Sequence, residues 1–477
     1  TRRRGGLRRL RRALRAAAES NRLRLVRIKA PRGAMVDRQG VALTENVPRF
    51  ALVLAVSELP RYPAERERDL KEIAERAQIP YEDLRLRFNA ARTGPQPITV
   101  KSGMNYEEAL DLLFQIQHIR GLSLEIQPAR SYPRGPAFAP VLGYLSKMDP
   151  AVVADFLAQG YGLDDWIGKT GLEAQFEKTL RGRDGQTQME VNAQGQVQRV
   201  IAQEIPQDGA TLTLTLDAAL QEKAYTALEA GLKAHHKQRG AIIALDPYSG
   251  AVRALVAYPS FDNNMFVRGV VSRAEFDALS ADPNQPLFNR AILGTYPSGS
   301  TIKPVVAAAG LQEEIITPQT TMLSVGGLEV GEWFFPDWKS GGHGLVNVTR
   351  ALAESVNTFF YIVGGGYGER SGLGIEKLAG YLREFGFGAS TGIELAGEAA
   401  GLVPTPPWKE QTKNESWYIG DTYHLSIGQG DISVTPLQIA RMTAYFANGG
   451  KWIRPQLVSD KSLALSDATK LSFDSGG

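Results

Sequence analysis

The sequence predicts an α/β (α+β) chain of two domains, the second built on an antiparallel sheet packed between helices. Three observations lead there. At 477 residues the chain exceeds one ordinary core, since domains run to about 150 residues each. Its texture changes near Ala210, from charged and irregular stretches to apolar runs of strand length. Beyond that point helical patterns alternate with glycine-rich loops as far as residue 450, as a sheet covered by helices requires.

Taken in order, residues 1–32 read as a basic arm, with twelve Arg and one Lys against the single acid Glu19. Leu7, Leu10 and Leu14 recur there at helical spacing. That pattern suits an anionic membrane surface or nucleic acid, while the charge alone suits a solvated juxtamembrane linker. No run approaches the roughly 18 apolar residues of a spanning helix, and no signal-peptide pattern is present. Residues 32–43 read as strand, turn and strand. Helical stretches follow at 64–79 and 106–116. Proline, aromatic and glycine punctuation over 127–143 and 168–202 reads as irregular, strand-poor connection. This first domain, residues 33–208, shows no catalytic cluster.

In the second domain, 209–477, residues 211–216 read as a strand and Asp217 as the cap of a helix with Leu220, Ala224, Leu228 and Leu232 on one face. Two apolar runs, 240–245 and 251–257, flank Asp246-Pro247-Tyr248-Ser249-Gly250, which predicts a hairpin. Their nearly continuous apolar character predicts that both faces are covered.

Composition narrows the chemistry. Hydrophobic residues at 43% and charged residues at 22% exclude wholesale disorder and a polytopic membrane protein. The chain has no cysteine, which excludes disulfides, thiolate nucleophiles and cysteine zinc sites together.

Ser300-Thr301-Ile302-Lys303 is the single Ser-x-x-Lys of the chain, and Pro297 and Gly299 before it suit a loop entering a helix. One helical turn sets the lysine amine beside the serine oxygen, and the helix N-terminus favours developing negative charge. A serine needs a neighbouring base, and a desolvated lysine can serve. The bland alternative is an ordinary capped helix start. Ser355-Val356-Asn357 is the single Ser-x-Asn. Its hydroxyl can relay a proton, and the Asn357 amide can both hold a peptide and bond the lysine. The bland alternative here is a polar turn beside an aromatic stripe.

Set in Tyr296-Pro-Ser-Gly-Ser-Thr-Ile-Lys303-Pro and Glu354-Ser-Val-Asn-Thr-Phe-Phe360-Tyr, the two motifs resemble those of the penicillin-binding proteins and serine β-lactamases. Asp337-Trp338-Lys339 with Gly342-His343-Gly344, the 391–398 stretch Thr-Gly-Ile-Glu-Leu-Ala-Gly-Glu, Ser426-Ile427-Gly428-Gln429-Gly430 and Thr435-Pro436-Leu437-Gln438 resemble the transpeptidase domain of the class B, elongation-specific members. Arg32-Gly33 with Asp37-Arg38, and Gly168-Lys169-Thr170-Gly171-Leu172-Glu173, resemble their non-catalytic pedestal.

The resemblance implies a serine β-lactamase-like transpeptidase domain preceded by an elongated, dimerisation-type pedestal. It implies a peptidoglycan D,D-transpeptidase, inhibited by β-lactams, that crosslinks stem peptides ending in D-Ala-D-Ala. Catalytic Ser300, Lys303 and Ser355 and substrate-binding Asn357 follow by position, with no cofactor and no metal. Implied partners are a SEDS-type glycan polymerase (RodA) and elongation-complex membrane proteins, and not nucleic acid. The implied location is the inner membrane, with one anchor and a periplasmic catalytic domain.

The family's third element, Lys-Ser/Thr-Gly on a strand after the Ser-Ile-Gly-Gln-Gly stretch, has no match after Gly430. Lys101-Ser102-Gly103, Lys169-Thr170-Gly171 and Lys339-Ser340-Gly341 precede the place where it belongs and are decoys. The expectation is therefore that the natural protein continues past Gly477 with that strand and carries an apolar anchor before Thr1. Asp337 and His343, six apart, are the nearest approach to a metal pair, but Val356 stands where relatives with a cysteine could complete a site. Rival readings are a division-specific transpeptidase, a β-lactamase, a penicillin-sensing receptor and a non-catalytic scaffold for a glycan polymerase.

Overall fold

The computed structural model describes residues 23–60, 62–91, 97–149, 152–162, 165–191, 197–267, 273–460 and 462; most of the basic arm, including Leu7, Leu10 and Leu14, lies outside them. The chain forms two compact units, one of residues 1–214, 261–279 and 458–477 and one of residues 215–260 and 280–457.

In the first unit, the strands Glu45–Leu54, Ile98–Met104 and Leu122–Ser131 form an antiparallel sheet with the first in the centre. The helices Pro63–Ala77, Tyr81–Ala91 and Tyr106–Ile116 bury Leu70, Ile73, Leu84, Leu112 and Ile116 against Leu52 and Leu54 of that sheet. The last of these helices starts on a capping box, in which Asn105 accepts from Glu108 N and the Glu108 side chain accepts from Asn105 N.

A second sheet runs in the order Leu23–Ile28, Gly185–Val191, Val197–Glu204. The two sheets together correct two expectations. The end of the basic arm is a strand, and the stretches expected to be strand-poor hold the end of the strand Leu122–Ser131 in the first sheet and the strands Gly185–Val191 and Val197–Glu204 in the second. Two of these pairings reach far along the chain, Leu23 with Glu190 and Glu45 with Ser131, and a ladder of that span leaves no local periodic signal; the strand Val197–Glu204 pairs with its neighbour in sequence, Gly185–Val191.

Two arginines at the arm's end, Arg27 and Arg32, form ion pairs. Arg27 pairs with Asp165 at 2.8 Å. Arg32 donates to Glu173 and to Glu177, both at 2.7 Å. Glu173 is fully buried and also accepts from Arg130 Nε at 2.7 Å and Tyr132 Oη at 3.2 Å. Burial pushes the Glu173 carboxyl upward, yet the two guanidinium groups outweigh it and hold the group below the usual range. Two motifs 141 residues apart thus meet in one ion cluster.

In the second unit, the predicted hairpin pairs Gly240–Leu245 with Val252–Tyr258, from Gly240↔Tyr258 to Leu245↔Val252. Asp246 Oδ1 accepts from Tyr248 N and Ser249 N to shape its turn. The helices Ala218–Ala234 and Pro436–Ala447 pack against it. Asp217 caps the first of these, accepting from Leu220 N at 3.1 Å.

The buried face of that helix is Ala218, Gln221 and Ala224, while Leu220 is 40% exposed. Ala224 and Leu228 of the expected face do pack on the hairpin, but Gln221 takes the place expected of Leu220, because its amide both donates to Leu255 O and accepts from Leu255 N, at 2.8 Å each. Strand Val252–Tyr258 is mostly buried, but Gly240–Leu245 is half-exposed throughout. Among the described residues the latter has one ladder neighbour, so it is less covered than its composition predicts. The expected strand at 211–216 shortens to Leu212–Thr213, paired in parallel with Met35–Val36.

The larger core of this unit is helical. Ile302, Val305 and Val306 pack with Phe359, Phe360 and Val363, Leu378 and Leu382, and Tyr423 and Leu425. Gly364 and Gly365 permit a close approach, since Cβ atoms there would stand 2.5 Å from Ser426 Cβ and 2.4 Å from the Tyr423 ring, respectively. This packing sets three of the sequence motifs side by side.

Breaking the buried ion cluster tests its weight in the first unit. Glu173→Gln leaves the buried Arg130 guanidinium without a carboxylate partner and Arg32 with Glu177 alone, and should destabilise that unit by about 3–5 kcal/mol in urea unfolding. Because the folded-state pKa is lowered, the contribution is present above the ordinary glutamate range and is lost as the pH falls below it. A variant unfolding at the wild-type urea concentration at pH 7 would show the cluster to be dispensable.

Candidate active site

Ser300 lies in a single 3₁₀ turn, Gly299–Ile302, that runs into the helix Lys303–Gln312. The serine is exposed, whereas Lys303 is 1% exposed. The three N–H donors of a lysine ammonium match three acceptors here. Nζ donates to Ser355 O at 2.8 Å, to Ser355 Oγ at 3.1 Å and to Asn357 Oδ1 at 2.7 Å. Ser355 Oγ in turn donates to Ser300 Oγ at 2.9 Å. Ser300, Lys303, Ser355 and Asn357 therefore come together, but the lysine reaches the nucleophile through the Ser355 hydroxyl rather than by the direct contact that helical spacing predicts.

Burial lowers the Lys303 pKa to about 8, against a smaller upward pull from the Asp337 carboxylate. The ring of Phe360 lies 5.3 Å from Nζ. An amine so tuned is partly neutral near physiological pH, as a general base must be.

Ser355 occupies a specific backbone position. The helix Val348–Ala353 ends with Ser355 N bonded to Leu352 O and Val356 N to Ala351 O, at 3.3 and 2.9 Å. That is the Schellman pattern, whose left-handed residue is usually glycine. Ser355 takes it at φ +55°, a conformation that costs an L-residue about 1–2 kcal/mol. The next helix, Asn357–Gly365, begins two residues later, so the Ser-x-Asn motif is the joint between two helices.

The Ser426-Ile427-Gly428 stretch has a structural role that its sequence did not announce. Gly428 O accepts from Gly299 N at 2.8 Å. Gly428 sits at φ +72°, and a Cβ there would stand 2.1 Å from Gly299 O. Tyr296 and Val434 exchange both backbone hydrogen bonds at 2.9 Å. The lead-in to the nucleophile is thereby stitched to residues 428–434, a pairing that neither segment reveals alone.

The three Lys-Ser/Thr-Gly triplets take no part in these bonds. Lys101 lies in the strand Ile98–Met104, Lys169 pairs with Asp149, and Lys339 O accepts from Gly342 N in a turn. Val356 is fully buried in the apolar core. Asp337 and His343 do stand together, with His343 Nε2 3.8 Å from Asp337 Oδ1 and His343 Nδ1 2.7 Å from Glu354. Among the described residues no group of three or more His, Cys, Asp or Glu side chains is arranged to hold a metal ion.

The chain has known counterparts. Residues 240–474 match the penicillin binding protein transpeptidase domain, and residues 27–214 match the penicillin-binding protein dimerisation domain. The chain is 35% identical over 445 residues to the peptidoglycan D,D-transpeptidase MrdA of Acinetobacter baumannii, covering 93% of this chain and 64% of that protein. To MrdA of Salmonella typhimurium it is 34% identical over 454 residues, covering 92% of this chain and 69% of that one. The chain belongs to the penicillin-binding protein 2 family. A solved family member, the Helicobacter pylori PBP2 in complex with MreC, superposes with a TM-score of 0.79 at 30% identity, covering 92% of this chain and 79% of that one. The chain spans about two thirds of the length of its curated MrdA relatives, 64% and 69% for these two. The family placement bears out the serine β-lactamase-like fold expected from the motifs.

Gly428→Ala probes the clamp on the nucleophile. The added methyl meets backbone and the φ is positive, so the variant should lose about 1–3 kcal/mol of stability. Acylation of Ser300 by a fluorescent penicillin should slow by about 10²-fold through misplacement. Wild-type melting together with wild-type labelling would show that the close approach is not required.

Proposed function

We propose that this protein is a serine D,D-transpeptidase that crosslinks peptidoglycan during cell elongation. The observation that carries the reading is the Ser355 hydroxyl standing between the Lys303 amine and the Ser300 hydroxyl, at 3.1 and 2.9 Å. With Lys303 neutral, the Ser300 proton passes to Ser355 Oγ as the Ser355 proton passes to Nζ. Ser300 Oγ then attacks the penultimate D-alanine carbonyl of a donor stem. The peptide C–N bond breaks, terminal D-alanine leaves with a proton returned along the same path, and an acyl-enzyme ester remains. An amine of a neighbouring stem attacks that ester, forms the crosslink and restores the Ser300 hydroxyl.

Asn357 is the substrate-binding residue of this scheme. Its Oδ1 is occupied by Lys303, which points its amide Nδ2 donors toward other uses, and a donor-stem carbonyl is an acceptor of the right kind. A β-lactam carries a strained amide in place of the scissile bond and halts the reaction at the ester.

The remaining parts of the reading concern setting. The basic arm ahead of the strand Leu23–Ile28 serves as a juxtamembrane linker, the residues from that strand to about 208 as the pedestal and residues 209–477 as the transpeptidase domain. No helix among the described residues is long and apolar enough to cross a membrane; the location proposed is the periplasmic face of the inner membrane. The pedestal has no catalytic cluster and is proposed to meet elongation-complex membrane proteins, with a SEDS-type glycan polymerase (RodA) the principal partner. The MreC complex of the Helicobacter pylori relative supports a docking role of this kind.

Two measurements test the chemistry. A fluorescent penicillin should label Ser300, as mapped by peptide digestion, and Ser300→Ala should abolish the label; Lys303→Ala should slow labelling by about 10²–10⁴-fold. Label on another serine would sink the assignment. The labelling rate should also rise with pH through about 8, where Lys303 loses its proton, and level off above it. A rate falling across that interval would rule out neutral lysine as the base.

A further inference from the structure

We propose that Asp337 and Trp338 form a two-residue clasp that positions the catalytic Ser355 by gripping the backbone on both sides of it. The inference rests on Ser300 being the acylated nucleophile and adds residues that touch neither substrate nor the reacting atoms.

Ser355 is held at φ +55°, a conformation that glycine adopts freely and serine does not. Something must hold it, since glycine at this position would lose the hydroxyl that bridges lysine and nucleophile. On one side, the Trp338 indole Nε1 donates to Glu354 O at 3.0 Å. On the other, Asp337 Oδ1 accepts from Asn357 N at 3.1 Å, and Asp337 Oδ2 accepts from Thr358 N at 3.0 Å and Thr358 Oγ1 at 2.7 Å. The two grips lock to each other, because Asp337 Oδ1 also accepts from Trp338 N at 2.9 Å. Residues 354, 357 and 358 are thereby fixed from a single point, and Ser355 lies between them.

The exposure of the two side chains fits this division. Asp337 is buried, with Ser324 Oγ donating to it as well, while Trp338 is 64% exposed. An indole at the surface contributes little to a core, so its N–H bond to a carbonyl accounts for its presence better than packing does. Asp337 has a second effect. Its carboxylate caps the first turn of the helix Asn357–Gly365, which favours negative charge, and it is the charged group acting on Lys303. The other groups around that amine, Ser300, Ser355, Asn357 and Phe360, are uncharged. Facing Asp337 itself are His343 and Tyr361.

The test is single-turnover acylation of the intact protein by a fluorescent penicillin, separating the initial binding constant from the acylation rate constant across pH. Trp338→Phe keeps an aromatic side chain beside His343 and removes the indole N–H with the rest of the five-membered ring, at a position that is 64% exposed. It should lower the acylation rate constant by about 10-fold or more through lost orientation, with binding and the pH midpoint unchanged. Asp337→Asn should slow acylation and also move the midpoint to lower pH, because a lysine without the nearby carboxylate loses its proton more readily. Wild-type rates in Trp338→Phe would overturn the clasp. A slowed Asp337→Asn with an unmoved midpoint would count against it too, since that is the mark of general destabilisation. A wild-type protein taking up no label would remove the acyl-enzyme reading and this inference with it.

Discussion

Everything at the site follows from burying one amine. An ammonium taken out of water must keep all its hydrogen bonds, and Lys303 does so with three oxygens drawn from Ser355 and Asn357. Those oxygens belong to the joint between two helices, so the nucleophile helix, the joint and the helix after it must converge within hydrogen-bonding distance. Gly364 and Gly428 supply the close approaches that this convergence needs. The catalytic geometry is in this sense the hydrogen-bonding demand of a single side chain, met by the packing of a helical core.

The pedestal solves the same problem in the opposite way. Arg130 is as well buried and Arg32 nearly so, but their partners carry full charges, Glu173 for both and Glu177 for Arg32 as well. An ion compensated by an ion is locked in its charged form, and Arg32 is driven further from neutrality while Glu173 is held below the ordinary carboxylate range. Lys303 is compensated by neutral oxygens and a carboxylate without a direct bond, so its pKa falls to about 8. The contrast separates a cluster locked in its charged form from one that can exchange a proton within one chain. What compensates a buried charge, more than burial itself, decides whether the group can exchange a proton in the physiological range.

The local chemistry of this protein was legible in its sequence. Ser300, Lys303, Ser355 and Asn357 stand out as single occurrences of short patterns, and the turn at 246–250 and the cap at Asp217 announce their elements because both signals act over a few residues. What the sequence left undetermined is everything that depends on partners distant along the chain. The strands at 23–28 and 185–191 are specified by a ladder across some 160 residues, which no window of periodicity can register. Gln221 takes a core place that the pattern gave to Leu220, because only a folded neighbour offers Leu255 both a donor and an acceptor. The route from lysine to nucleophile was likewise decided in three dimensions. Helical spacing sets Lys303 near Ser300, but the hydroxyl between them comes from a residue 55 positions on, in a left-handed turn that only the packing of the helical core brings to the lysine.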